Sequence, residues 1–556
     1  MENRRSTSNG DQDTFYQFTD VLNMVRGRHT IEVGAEVHQQ LWNLYQDSQT
    51  DSFVFNKDYT GNSIANLLIG WPFSVEDAQG DPDGIFRSYT YALFVADNIQ
   101  ATSRLTLNLG LRDDYNQPSI NTQGHQEVFD WQTGEYIRPG TDGITRGIVF
   151  PDYREWGPRV GLAWRPFGQK TSVRASYGIY WLVPDWNMDQ QKILTPDNYP
   201  KYLYTGTAAA PPMSLDDAFP ATTLASALIE SGDTEYPYNR MPYAEQYGLT
   251  IEHQVSPNLL VEVAYDGSNS HHMVQRTAIN PASPDPTGLI PLTQRVPYPL
   301  FSGGITANME QGNATYNALT VSVNKRFSRG VSFMAGYTYS KSMDDGTPDS
   351  EVEFPYNIRL NHAPSTFNVP QRLVMSWVYQ LPVGRGRHFM TNPSSRLVDS
   401  FLGGWQVSGI ATFDDGIGLT PGTAYAVNMG GRIPIVPNRI GPVNDAALRG
   451  DIRGLPGGVV GPYFNTSDIA AQVGNVQGNA GRDFIIAPGI NNWDLSLFKS
   501  LRLGEQKSLQ IRSDFFNAFN HTQFLPPNVT IGSSSFGYIS GAREARGIQF
   551  SLKFLF

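Results

Sequence analysis

The sequence predicts an all-β protein, a transmembrane antiparallel up-and-down β-barrel, and three observations lead to this fold class. Segments with one apolar and one polar face recur along the chain, and short and long connections alternate between them. The 556 residues are enough for several soluble domains or for one large barrel. No apolar run approaches the ~18 residues that a membrane-spanning helix requires, so a membrane passage would have to use strands.

The last nine residues show the two-faced pattern most clearly. The apolar positions alternate with polar ones, and they are Ile548, Phe550, Leu552, Phe554 and Phe556. Successive side chains of a strand point to opposite faces, so these five would share one face. Such a strand suits a barrel wall between lipid and a polar lumen, although a soluble β-sandwich strand shows the same pattern.

The same character recurs in fifteen segments, many of them about ten residues long. That length and the period of two fit tilted strands that cross a bilayer. The predicted strands are Thr14–Val25, Thr30–Leu44, Phe86–Gln100, Leu105–Tyr115, Pro158–Arg165, Thr171–Trp181, Tyr243–Val255, Leu259–Gly267, Tyr316–Phe327, Val331–Ser340, Gln371–Leu381, Gly404–Phe413, Asn492–Lys499, Ser508–Phe516 and Ile548–Phe556.

The connections favour a barrel over a soluble domain. Those inside each hairpin are mostly short, whereas those between hairpins are long, from Tyr45–Ile85 at the start to Asn517–Ala545 at the end. Outer-membrane barrels have short periplasmic turns and long extracellular loops. A compact soluble domain tolerates few structureless loops of this length.

Composition excludes several functions. The chain has no cysteine, which rules out disulfides, thiolate metal sites and cysteine nucleophiles. A net charge of -11 argues against nucleic-acid binding. Neither a phosphate-binding glycine loop nor an HExxH or GxSxG motif is present, so we predict no enzyme, cofactor or metal. The adjacent pairs His271-His272 and Asp344-Asp345 lack further ligands at metal-binding spacing.

The polar faces of the strands are predicted to line the lumen. A charge on the lipid face costs ~2–4 kcal/mol near the bilayer midplane, so charged strand residues should point inward. The candidates are Glu32, Glu36, Asn108, Arg112, Arg159, Arg174, Glu252, Glu262, Asn324, Gln510 and Arg512.

Aromatic residues around one long loop are candidates for ligand contact. Their rings could stack on a sugar or on an aromatic siderophore, and anchoring at the membrane interface or packing within the loop is the alternative. The residues are Tyr180, Trp181, Trp186, Tyr199, Tyr202 and Tyr204.

Several segments resemble the barrel of TonB-dependent outer-membrane receptors, specifically of the Oar-like group. The resemblance covers nearly the whole chain and depends on the order and spacing of individually weak motifs. They are Leu105–Arg112 (LTLNLGLR), Gly157–Gly168 (GPRVGLAWRPFG), Tyr316–Leu319 (YNAL), Lys325–Phe327 (KRF), Gly336–Ser342 (GYTYSKS), Asp514–Asn520 (DFFNAFN) and the ending from Ala545 onward.

The resemblance implies a location in the outer membrane of a Gram-negative-type bacterium and the import of a large nutrient bound at the extracellular loops. It implies a barrel of 22 strands closed by an N-terminal plug, with a segment before the plug that contacts TonB. It also implies that the barrel-assembly machinery reads the alternating C-terminal strand. The partners expected are outer-membrane lipid, that machinery, an unknown nutrient, and TonB only if the N-terminal region is present.

The start of the chain suggests that residues 1–556 are the C-terminal part of such a receptor. Met1–Ser6 has no apolar core of the kind found in a signal peptide. Fifteen strands are an odd number, whereas single-chain bacterial barrels have an even number. We therefore expect a signal peptide, a plug and about seven strands to precede this chain.

Two other functions remain open from the sequence alone. One is a passive, porin-like channel of about sixteen strands, in which Glu2–Asp13 or the first hairpin closes the wall. The other is a surface adhesion or interaction barrel whose long loops bind a partner and through which nothing passes.

Overall fold

The computed structural model describes most of the chain. The described residues are 2–4, 10–45, 52–78, 83–140, 143–182, 192–193, 195, 198–207, 209–216, 228–229, 232–301, 304–346, 352, 354–391, 395–423, 429–430, 433–443, 461–503 and 507–556.

Within these described residues, fifteen long strands belong to one sheet, and all fifteen predicted strands are confirmed. They are β1 (Gly10–Arg26), β2 (His29–Tyr45), β3 (Gly84–Thr102), β4 (Leu105–Asn116), β5 (Glu155–Trp164), β6 (Thr171–Trp181), β7 (Tyr243–Ser256), β8 (Leu259–Ala278), β9 (Ile305–Ser328), β10 (Val331–Asp344), β11 (Gln371–Gln380), β12 (Trp405–Asp414), β13 (Ile490–Arg502), β14 (Ser508–Phe516) and β15 (Gly547–Leu555).

Two strands are much longer than predicted. β8 continues past Gly267 to Ala278, and β9 begins at Ile305 instead of Tyr316. The two extensions pair with each other, but the register shifts around Met273. Their residues are mostly polar on both faces, so the apolar–polar alternation that identifies a lipid-exposed strand is lost there.

The long strands form an antiparallel meander in which each pairs with the next along the chain. The tightest turns suit this arrangement. Between β9 and β10, Arg329 and Gly330 both have positive φ, 51° and 82°, as a two-residue type I′ turn requires. Among the described pairings, none joins β1 to β15, so these two strands form the edges of the sheet.

The sheet has one apolar and one polar face. On the apolar face, large side chains such as Leu93, Val160 and Phe550 are exposed along their strands. Near the ends that lead into the long connections, Tyr89, Tyr91 and Tyr115 stack in sequence on that face, with ring centroids 6.2 and 6.3 Å apart. Tyrosines at this level of a membrane-facing sheet are typical of an aromatic girdle.

The described parts of the seven long connections lie at one end of the sheet, and we call these parts the loop layer (within 46–83, 117–154, 182–242, 279–304, 345–370, 415–489 and 517–546). The layer contains helix α1 (Ser63–Leu68) and the 3-10 turns Leu292–Gln294, Pro299–Phe301, Ile358–Asn361 and Thr466–Asp468. Helix α2 (Arg396–Leu402) lies at the opposite end, between β11 and β12.

Short strands complete the architecture. They are Glu2–Arg4, Ser52–Val54, Ser74–Ala78, Ile120–Asn121, Val128–Asp130, Glu135–Ile137, Lys201–Thr205, Leu228–Ile229, Gly232–Glu235, Ala363–Pro364, Gly418–Leu419, Gly422–Thr423, Asn438–Arg439, Ile469–Ala470, Ile485–Ile486 and Thr530–Ile531.

The N-terminal strand corrects one expectation. Glu2–Arg4 pairs with Ser52–Val54 in a small sheet of the loop layer, and residues from Gly10 onward already belong to β1. Glu2–Asp13 therefore does not supply a sixteenth wall strand, which is one of the two ways that the channel hypothesis offers to close the wall, the first hairpin being the other.

The buried apolar core lies mainly in the loop layer. One cluster joins Val443, Phe464, Ile469 and Ile485, and another joins Phe129 and Phe301 to Ile305 at the start of β9. In the sheet, by contrast, most large apolar side chains are exposed on one face. Among the described residues, no helix is both long and apolar enough to span a membrane.

Candidate functional site

All eleven predicted lumen residues lie on the polar face of the sheet. Residues directly opposite each other in paired strands point to the same face. Gly110 of β4 lies opposite Arg159 of β5, and Arg174 of β6 lies opposite Thr250 of β7. Glu252 lies opposite Glu262, and the same face continues through Asn324 of β9 to Gln510 and Arg512 of β14. The same polar face carries the remaining four candidates in β2 and β4, nearer the β1 edge of the sheet: Glu32, Glu36, Asn108 and Arg112.

Arg112 is the centre of an ion-pair network on this face. Its Nη2 lies 2.7 Å from Oε2 of Glu36, and its Nε lies 2.9 Å from Oδ1 of Asp114. The ring of Phe94 lies under the guanidinium, 5.7 Å from it. The network therefore connects side chains of three neighbouring strands, with the charged groups on β2 and β4 and the aromatic ring on β3.

Other cations of the polar face are also paired. Arg174 lies 3.1 Å from Glu252, and the Arg159 guanidinium lies 4.6 Å from the Tyr180 ring. Within β14, Arg512 lies 2.8 Å from Asp514. Pairs such as these offset charge while the side chains remain partly exposed on the polar face.

A groove of about 550 Å³ runs along this face between β9 and β14. Asn324, Ser376, Asp494 and Arg512 line it together with Met334. Its lining thus combines charged, polar and apolar side chains.

Where the polar face meets the loop layer, buried acidic groups collect. Asn116 donates a 2.6 Å hydrogen bond to Oε2 of Glu155, which is fully buried. Burial raises the pKa of Glu155 to about 7, although the bond from Asn116 opposes the shift. In the extension of β9, burial and the nearby Glu235 carboxylate raise the pKa of Glu310 well above its usual range.

Amide side chains hold these acids in place. Asn239 and Asn308 donate to the two carboxylate oxygens of Glu235 at 2.6 and 3.3 Å. The backbone N–H of Glu310 donates to Asn239 at 2.9 Å. Sequence reasoning missed this cluster, because its members are distant along the chain and lie outside the alternating segments.

The predicted ligand-contact aromatics do not form one surface. Tyr180 and Trp181 are the last residues of β6, not loop residues, and they point to opposite faces: Tyr180 covers Arg159, whereas Trp181 packs on Tyr243 at 4.9 Å. Trp186 lies outside the described residues.

The other three aromatics belong to the loop layer. Tyr202 and Tyr204 are in the strand Lys201–Thr205, and Tyr199 precedes it. Tyr204 is only 5% exposed and packs with Val75 and Met213, so its ring is not available to a ligand. Tyr199 and Tyr202 are partly exposed.

The predicted assembly residues Ile548, Phe550, Leu552, Phe554 and Phe556 are exposed on the apolar face at the end of the chain. Within the described residues, no cluster of histidine or carboxylate side chains has the geometry of a metal site. Asp344 pairs with Arg482, and Asp345 pairs with His362.

Comparison with known proteins identifies the family. The model of the outer membrane beta barrel domain matches residues 1–549, so the chain belongs to this family and to the outer membrane. No curated protein is a significant match to the sequence.

A solved outer-membrane transporter shows the same fold at low identity. The outer membrane transporter YddB from Escherichia coli is 12% identical, with a TM-score of 0.50 over 99% of this chain and 54% of that chain. The ferric enterobactin receptor PfeA from Pseudomonas aeruginosa, in complex with enterobactin, is 12% identical, with a TM-score of 0.48 over 98% of this chain and 54% of that chain. The chain thus spans about half the length of the solved structures that it matches, and those neighbours are transporters and receptors.

Proposed function

We propose that this chain is the barrel part of a TonB-dependent type of outer-membrane transporter, close to the Oar-like group. A large nutrient binds at the loop layer and is imported along the polar face of the sheet. The observation that carries this proposal is the polar face with its paired charges, which leads directly into a loop layer with its own buried core. Membership of the outer-membrane barrel family supports it.

In this proposal the eleven polar-face residues line the lumen. The Arg112 network and the groove beside Arg512 face the space that a plug or a passing solute occupies. Energised import additionally requires TonB and a coupling segment, and assembly in the membrane requires recognition of β15 by the barrel-assembly machinery.

Tyr199 and Tyr202 are the loop aromatics that we propose contact the nutrient, with Tyr180 at the entry to the polar face. Tyr180 is already held by Arg159, so a ligand ring could extend that stack.

A binding experiment tests the proposal. The full chain, folded in detergent, is titrated by calorimetry with ferric enterobactin, ferric citrate, cyanocobalamin and maltoheptaose as separate probes. We expect saturable binding of one probe, weakened about ten-fold or more by Tyr199→Ala with Tyr202→Ala. Tyr204→Phe, in the core, is the matched control and should leave the affinity unchanged.

Conductance separates this function from a passive channel. If the proposal holds, we expect the chain to form no stable open pore in planar bilayers while the loop layer is intact. A steady ohmic conductance with no saturable binding of any probe would contradict the proposal and favour the channel.

A further inference from the structure

Helix α2 lies at the end of the sheet opposite the loop layer, in the longest turn of that end. It spans Arg396–Leu402, and the Ser395 hydroxyl accepts a 3.1 Å hydrogen bond from the N–H of Val398 at its start. In outer-membrane barrels the short turns lie on the periplasmic side. The helix is therefore at the level of the inner leaflet of the outer membrane.

A buried lysine fixes the helix to the apolar face of the sheet. Lys499 of β13 lies opposite Trp405 and Ile511, in the row that continues to Leu552, so its side chain is on the apolar face. It is nevertheless only 3% exposed. Its ammonium donates to the carbonyls of Phe401 and Gly403 at 3.0 and 2.7 Å, where the negative end of the helix dipole also favours a cation.

Further contacts hold the turn rigidly. The Trp405 indole donates to the same Phe401 carbonyl at 3.0 Å, and its ring lies 4.8 Å from the Lys499 ammonium. On the other side of the helix, the Asp399 carboxylate accepts a 2.7 Å bond from the N–H of Arg385. A Cβ on Gly384 would lie 2.9 Å from the Cα of Gly403, so this close approach requires glycine.

The outer surface of this turn is apolar with a basic border. Leu397 and Phe401, one helical turn apart, are 74% and 75% exposed, and Leu402 and Phe389 are also exposed. The basic side chains beside them, Arg385, Arg387 and His388, are exposed as well. A cluster of four exposed large apolar side chains with a polar border is the kind of surface patch that marks a membrane or partner interaction site.

We propose that helix α2 and the preceding segment 382–391 form an interfacial anchor that inserts into the phospholipid leaflet. Leu397, Phe401 and Leu402 enter the boundary between headgroups and acyl chains, and Arg385, Arg387 and His388 contact headgroup phosphates. Two observations identify lipid as the occupant: the surface is continuous with the apolar face of the sheet, and its basic border complements phosphate. This arrangement is that of an amphipathic helix lying in the membrane plane.

The anchor explains why a lysine is tolerated on the lipid-facing side. A free ammonium there would be costly, but the helix end supplies two acceptor carbonyls and covers it. Through these two hydrogen bonds, Lys499 also holds the anchor against the barrel.

Single-cysteine labelling tests the proposal, because the chain has no cysteine of its own. The full chain is folded into vesicles of phosphatidylethanolamine and phosphatidylglycerol, and a bimane label is attached in Phe401→Cys. Leu109→Cys, on the apolar face of β4, reports the bilayer core, and Ser103→Cys, in the exposed turn between β3 and β4, reports water. Brominated lipids and iodide are the two quenchers.

We expect the label at 401 to be quenched by brominated lipids about three-fold or more above the label at 103, and more by shallow than by deep bromines. Iodide should quench 103 and spare 401. A label at 401 that behaves like the one at 103 overturns the proposal and points to a protein partner. If the label at 109 is also unquenched by lipid, the apolar face is not in the bilayer and the proposal fails with it.

The charged border is tested in the same vesicles. Arg385→Gln should lower the preference of the label at 401 for brominated phosphatidylglycerol over phosphatidylethanolamine by about five-fold. An unchanged preference would overturn the contact of Arg385 with an anionic headgroup, because both lipids carry a phosphate and only that of phosphatidylglycerol keeps an uncompensated negative charge. Neither result depends on nutrient binding, so failure of the anchor and failure of the proposed transport function remain distinguishable.

Discussion

The sheet and the loop layer use the same kinds of residue in opposite ways. In the sheet, large apolar side chains such as Leu93 and Phe550 are exposed, and charges share the other face in partly exposed pairs. In the loop layer, Phe464 and Ile485 are buried, and so is Arg482, which pairs with the buried Asp344 at the end of β10. The sheet is built for two surroundings, lipid and a polar lumen, whereas the loop layer is folded like a water-soluble domain.

This difference predicts that charge removal is costly in the loop layer and cheap in the sheet. Arg482 lies 2.7 Å from Asp344, with side chains 6% and 7% exposed, and it also donates to the Asn361 carbonyl at 2.9 Å. Arg482→Ala leaves a buried carboxylate without this partner, so the opening free energy of the loop layer should fall by ~3–5 kcal/mol. Hydrogen exchange of the loop-layer amides in detergent measures it.

The matched control is Arg174→Ala, which removes an exposed partner of Glu252 on the polar face. We expect a loss of ~0–1 kcal/mol for this pair. Equal losses of opening free energy for the two variants would show that the Arg482 pair is no better shielded from water than a pair on the polar face of the sheet.

Apolar truncation should separate the two regions in the same way. Ile469 is buried in the cluster around Phe464, so Ile469→Ala creates a cavity and should cost ~2–5 kcal/mol in loop-layer protection. Leu109→Ala, on the exposed apolar face, leaves no cavity within the protein. Its loss of stability in a detergent micelle should therefore be clearly smaller than that of Ile469→Ala. A larger effect at Leu109 would mean that the outer face is packed against protein.

The two regions also differ in what the sequence could predict. Every long strand is predictable, because lipid and lumen impose a period of two on segments such as Leu105–Asn116. The polar face follows from the same alternation, and the register brings its eleven candidates together. The loop-layer contacts are not predictable, because Arg482 and Asp344 are 138 residues apart and no period links them. Helix α2 has too few residues for its period to stand out, and only the structure shows the contact with Lys499.

Protonation of Glu155 gives the junction of the two regions a pH dependence. Its pKa is about 7 in the folded chain, against an ordinary value of 4.5, because burial disfavours the carboxylate. The folded state therefore binds the proton more tightly, so stability falls as pH rises from about 4.5 to 7 and is constant above. Glu155→Gln removes this slope and should stabilise the loop layer by up to about 3 kcal/mol at pH 8, with little change at pH 5. If hydrogen exchange gave the same dependence of stability on pH for the variant and the parent, the pH dependence would not come from Glu155.

The smallest effect is expected within the sheet, where side chains have room to move. A Cβ on Gly34 would lie 2.3 Å from the Phe94 ring, which covers this glycine and also contacts Arg112. Because the ring end can swing into the open polar face, Gly34→Ala should cost only ~1 kcal/mol, at the low end for overpacking. Arg112 would lose its ring contact but keep Glu36 and Asp114. The melting temperature in detergent measures the cost, and Gly336→Ala, where a Cβ meets open space, is the control. A loss of several kcal/mol at Gly34 would show that the polar face is packed as tightly as the loop layer, and the contrast between the two regions would not hold.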